Sequence, residues 1–94
     1  MIKHIVCFKL KDGESAEKAA EVLRSMKGNV PEIIDMEVGV DFLKSERSYD
    51  VILQVTLKDA AALERYQSDA YHCKVVKEYM HKARVSSVAV DYYL

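Results

Sequence analysis

The sequence predicts an α+β domain with the ferredoxin-like order β-α-β-β-α-β, an antiparallel sheet carrying both helices on one face. Three observations carry this reading. Apolar residues alternate in period two at the start, in the middle and at the end of the chain. Two stretches between them repeat at helical spacing instead. The two middle strands follow one another through the polar loop KSERS, which makes a hairpin rather than a crossover.

From Ile2 to Leu10, residues Ile2, His4, Val6, Phe8 and Leu10 fall on one strand face and Lys3, Ile5, Cys7 and Lys9 on the other. Asp12-Gly13 breaks the strand, and Ser15 is placed to cap a helix. Ala16, Ala19, Ala20, Leu23 and Met26 recur at helical spacing until Gly28-Asn29 and Pro31 end the pattern. Met36, Val38, Val40 and Phe42 then alternate with polar or small residues, as do Val51, Leu53, Val55 and Leu57 after the loop. Asp59 can cap a second helix bearing Leu63 and Tyr66. Ser68 and Asp69 interrupt it, and a further helical stretch carries Val75, Val76, Tyr79 and Met80. VSSVAVDYYL, rich in β-branched and aromatic residues, closes the sheet.

The other sheet face holds Ile5, Cys7, Ile52, Val88 and Val90 among Lys3, Gln54 and Thr56. That face is too apolar to rest in water, so face-to-face pairing into a homodimer is expected. With 94 residues, a single domain over 1–94 would bury only roughly 60 to 65% of its extended surface, and a second copy would enlarge a thin core.

Composition narrows the functions. A formal charge of −1 supplies no field for nucleic acid or an anionic membrane. The central strands lack the stacking aromatics of an RNA-recognition module, and the scattered glycines cannot build a phosphate cradle. Cys7 and Cys73 form no CxxC pair, and His4, His72 and His81 have no metal-ligand spacing, so reduced thiols and no metal or cofactor are expected. The opening segment MIKHIVCFKLKDGE lacks a signal peptide's apolar core, and a cytoplasmic protein is expected.

One constellation carries chemistry. In an unbroken helix Tyr66 and His72 would lie about 120° apart and would not share a pocket. A break at Ser68-Asp69, with Asp69 as cap, places His72 in the first turn of a new segment. There the positive end of the helix dipole disfavours imidazolium and keeps the ring neutral, able to accept a proton. Asp91, on one strand face with the small residues Ser87 and Ala89, can orient and charge-balance that histidine. Tyr66 can donate to a carbonyl oxygen that gains charge, and His4 can reach the same cavity. The alternative is a buried hydrogen-bond network that pins the helix break to the last strand, with His4 as a core histidine. His81, among Lys77, Glu78 and Lys82, reads as a solvated helix residue.

HIVCFKLKD, VPEIIDMEVGVDF, SYDVILQVTL, the Y-x5-H of Tyr66 and His72, and the terminal VDYY together resemble the stress-responsive α/β barrel (Dabb) family over nearly the whole chain. The resemblance implies a ferredoxin-like subunit in a homodimer whose sheets close into a barrel. The family includes plant stress-response proteins and the plant cyclase that makes olivetolic acid by an aldol-type ring closure. Carried over residue by residue, it implies His72 as general base, Asp91 as its supporting carboxylate, Tyr66 as the assisting tyrosine and His4 as a pocket histidine of the first strand. Val51 stands where that cyclase has a second pocket histidine, and Asp69-Ala70 where many members have His-Pro.

Three functions remain open: a lyase or cyclase of a small carbonyl compound with polyketide character, a non-catalytic ligand-binding or structural stress-response barrel, and a cofactorless monooxygenase. The partners expected are a second copy of the chain and a small carbonyl ligand, with no nucleic acid and no membrane.

Overall fold

The computed structural model describes residues 1–94. Its elements are β1 (Ile2–Leu10), α1 (Ala16–Arg24), β2 (Asp35–Val40), β3 (Val51–Leu57), α2 (Ala60–Ser68), a π-helix (His72–Lys77), α3 (Glu78–Ala83) and β4 (Arg84–Tyr93). The strands form one antiparallel sheet in the order β2-β3-β1-β4, the ferredoxin-like arrangement. Each β-α-β connection skips one strand, leaving space for the antiparallel neighbour between.

Local chemistry sets the helix starts. Ser15 Oγ accepts the Lys18 N–H at 3.1 Å, and Asp59 Oδ1 accepts the Ala62 N–H at 2.9 Å. Each cap satisfies a donor the first helical turn leaves free. Helix α1 stops at Arg24, before the apolar periodicity does. A turn through Gly28, at φ 86°, then seats Met26 in the core without helix.

The core lies between the sheet and the helices. Val51, Leu53, Val55 and Leu57 of β3 bury against Ala19, Ala20 and Leu23 of α1, with Ala62 and Tyr66 of α2 completing the layer. Two expectations fail at its margins. Phe42 is outside β2 and 90% exposed, because Asp41 Oδ2 accepts the Lys44 N–H and turns the chain, with Lys44 at φ 57°. Val75 faces outward while Val76 and Met80 are buried.

The second sheet face is open. Ile5, Cys7 and Ile52 are half-buried there, and on β4 Val88, Val90 and Tyr92 are exposed by 49%, 61% and 44%. Both cysteines are free, and no helix is long and apolar enough to cross a membrane.

Candidate functional site

A cavity of about 330 Å³ lies between the sheet and the helical segments. Its floor comes from β1, β3 and β4, where His4, Val6 and Leu53 stand beside the small Ser87 and Ala89. Its roof comes from Tyr66, His72, Val76 and Met80. The small β4 residues leave room there, as their strand pattern predicts.

The helix break positions the roof. Ser68 Oγ bonds back to the Glu64 carbonyl, and Asp69 leaves helical geometry with ψ 135°. Asp69 Oδ1 then accepts the His72 N–H at 3.0 Å, so the residue acts as the expected cap. Breaking the helix frees carbonyls at the end of α2, and side chains from the next segment take them up. The Tyr66 carbonyl accepts from His72 Nδ1 at 2.9 Å, and the Gln67 carbonyl accepts from Lys77 Nζ at 2.7 Å and Cys73 Sγ at 3.3 Å.

The segment that follows is a π-helix, which the sequence pattern does not foretell. Its i→i+5 repeat brings residues five apart round to the same side, whereas in an α-helix His72 and Lys77 would lie about 140° apart. Both line the cavity.

His4 and Asp91 are paired across β1 and β4, and the Asp91 carboxylate hydrogen-bonds His4 Nδ1. This corrects the expectation that Asp91 supports His72. Register decides it: on β4 Asp91 sits opposite His4, while His72, on the roof, takes a backbone carbonyl instead. Because both partners are acceptors, each histidine carries its proton on Nδ1 when neutral and has its lone pair on Nε2. Neither Nε2 has a bonding partner, yet no buried side-chain nitrogen is left unsatisfied. Both atoms therefore reach accessible space, and the space both residues line is the cavity.

Tyr66 lies between the two rings, 5.6 Å from His4 edge-on and 4.3 Å from His72 in a tilted stack. It is fully buried, and its hydroxyl donates to Met26 Sδ at 3.7 Å, a weak acceptor. Burial pushes its phenol well above the ordinary tyrosine range. Burial also lowers His72 below the usual histidine value, a shift the Tyr66 carbonyl opposes and the charges of Lys77 and His4 reinforce. Val51, by contrast, is in the core in register with Phe8 and does not line the cavity. His81 is exposed, as expected, but stands at the cavity's edge.

Sequence reasoning missed Lys77 and Arg84, which also line the cavity. Lys77 becomes a cavity residue only through the π-helix, and a lone arginine opening a strand carries no local pattern. No three histidine, cysteine or acidic side chains converge as a metal-binding group would.

The model of the stress responsive A/B barrel domain family matches residues 2–94, and the chain belongs to that family. No curated protein matches its sequence. Among solved structures it is similar to a dimeric ferredoxin-like protein of unknown function from Thermobifida fusca, at 22% identity and TM-score 0.84, covering 99% of this chain and 90% of that one. It is similar to the hydroxynitrile lyase of Passiflora edulis, at 19% identity and TM-score 0.76, over 99% and 92% of the two chains. An antibiotic biosynthesis monooxygenase also shares the fold, at 16% identity and TM-score 0.75, over 100% and 98%.

Proposed function

We propose that this member of the stress responsive A/B barrel family binds a small carbonyl compound and moves a proton at the carbon next to its carbonyl, as a lyase or cyclase does. The observation that carries the reading is the pair of imidazoles whose Nε2 atoms open onto one largely apolar cavity, only one of them backed by a carboxylate. Burial keeps His72 neutral near pH 7, and its Nε2 lone pair accepts the proton. His4 takes the complementary part. When its ring is doubly protonated, Asp91 balances the charge and Nε2–H donates to the oxygen of the forming enolate. Tyr66 holds the two rings apart and excludes water between them.

The proton returns from His72 to carbon or to a leaving oxygen, so the cycle is balanced without an added oxidant or reductant. A lyase among the proteins of this fold supports the class of chemistry, and a monooxygenase among them marks the alternative by fold alone. The test is deuterium exchange at the central carbon of benzoylacetone, followed by NMR against buffer. Exchange accelerated by the protein and lost in both His72→Ala and His4→Ala is the expected result. Unaccelerated exchange across a panel of diketones and keto esters would refute it.

The working form is a homodimer, in which the open face of Ile5, Cys7, Ile52, Val88, Val90 and Tyr92 packs on its copy. A sheet face of this apolarity, together with the dimeric description of the Thermobifida fusca protein, supports that assembly.

A further inference from the structure

The cavity has a charge character of its own. None of its lining residues is acidic, while Lys77 and Arg84 both reach it and exposed His81 stands at its edge. Neither Lys77 nor Arg84 is spent on a carboxylate: the ion pairs of the molecule are His4–Asp91, Arg65–Glu32 and Lys82–Glu78. Lys77 is steadied by the Gln67 carbonyl, which leaves two of its three donors free. Arg84 is half-buried as a residue, and its guanidinium is bonded to no other side chain. An arginine presents a planar fork of donors suited to two carboxylate oxygens.

Along the ladder of β1 and β4, Val6 and Phe8 separate His4 from Arg84, and Val76 and Met80 add to the apolar lining. The cavity's size lies at the low end of the roughly 300 to 1,000 Å³ common for small-molecule sites, so a nucleotide-sized head group would not be enclosed.

Resting on the carbonyl reading above, we propose that the substrate is a keto acid: a carbonyl held at His4 and His72, an apolar spacer, and a carboxylate held by Arg84, with Lys77 adding a second positive charge to the same cavity. The π-helix is the local device that brings Lys77 onto the cavity beside His72. The carboxylate end fixes the ligand's direction and so decides which carbon faces His72.

The test is calorimetric binding of three compounds to the intact chain: benzoylpropionate, its methyl ester, and phenylbutyrate, which keeps the acid and chain but lacks the ketone. The acid should bind about tenfold or more tightly than the ester, a preference that shrinks as salt is raised. Arg84→Met with Lys77→Met should abolish the preference, Arg84→Lys should restore part of it, and His4→Ala should leave it intact. Equal binding of acid and ester, a preference that survives loss of both cations, or no binding of the keto acid at millimolar concentration would each overturn the proposal. The two readings separate cleanly. If phenylbutyrate binds as tightly as the keto acid through Arg84, carbonyl recognition fails while the anion receptor stands, and the keto-acid proposal falls with it. If acid and ester bind equally, through His4 and His72 and without regard to Arg84, the carbonyl reading stands and the keto-acid proposal falls.

Discussion

Asp91 stands directly across from His4 in the antiparallel pairing of the first and last strands, and its carboxylate accepts the hydrogen bond that the imidazole donates from Nδ1. The pair fixes which nitrogen faces the cavity. Asp91→Asn keeps an acceptor oxygen but offers a competing N–H and no charge, so the ring loses its tautomeric preference. Imidazole nitrogen NMR should show His4 fixed as the Nδ1–H form in the neutral wild type and mixed in the variant. Because the Asp91 side chain is 42% exposed, unfolding free energy should change by less than about 1 kcal/mol while proton exchange on a diketone falls by about a hundredfold. A large stability loss would make the pair structural.

His72 gives stability a pH dependence of definite sign. Its folded value is lowered, chiefly by burial, so the unfolded chain binds the proton more readily. Stability from this group is therefore complete above the ordinary value of 6.5 and declines as pH falls below it toward the folded value. Urea unfolding at fixed protein concentration should show the decline as the pH is lowered below 6.5, and His72→Gln should remove that part. An unchanged pH profile in the variant would contradict the assigned neutral state.

Tyr66 separates a structural from a chemical role. Its ring is fully buried between two histidines, but its hydroxyl meets only a thioether. Tyr66→Phe should cost no more than about 1 kcal/mol, and Tyr66→Leu about 2 to 4 kcal/mol through lost volume. If Tyr66→Phe also leaves turnover unchanged, the hydroxyl is no oxyanion donor and the ring's packing is its whole contribution.

The open sheet face predicts its own disruption. Val88→Glu together with Val90→Glu places two carboxylates within the proposed apolar contact, where burying them is costly. Sedimentation should show a dimer for the wild type and a monomer for the double variant, with far-UV circular dichroism preserved. A wild type that sediments as a monomer at micromolar concentration removes the assembly.

The sequence made visible whatever depends on neighbours along the chain. Strand alternation, the caps Ser15 and Asp59, and the break at Asp69 are local chemistry, and each lies where period and residue type put it. The partner of Asp91 depends on which residue faces it across two strands 87 positions apart, and period alone leaves that register open. The π-helix is equally illegible: HCKVVK reads as ordinary helix, and the wider winding goes with side-chain bonds to the Tyr66 and Gln67 carbonyls that no local pattern announces. Lys77 escaped notice for that reason.

The separation of His4 from Asp91 has a consequence in time. Closing so long a stretch of chain costs entropy that only non-local contacts repay, so β1 and β4 should zip together late in folding. In a protomer without its copy, β4 should also be the first strand to peel away, since it is an edge strand with most of its residues exposed. Amides of β4 should then exchange with solvent faster than those of β3, and the fraction of molecules able to work would be smaller than the fraction that is folded.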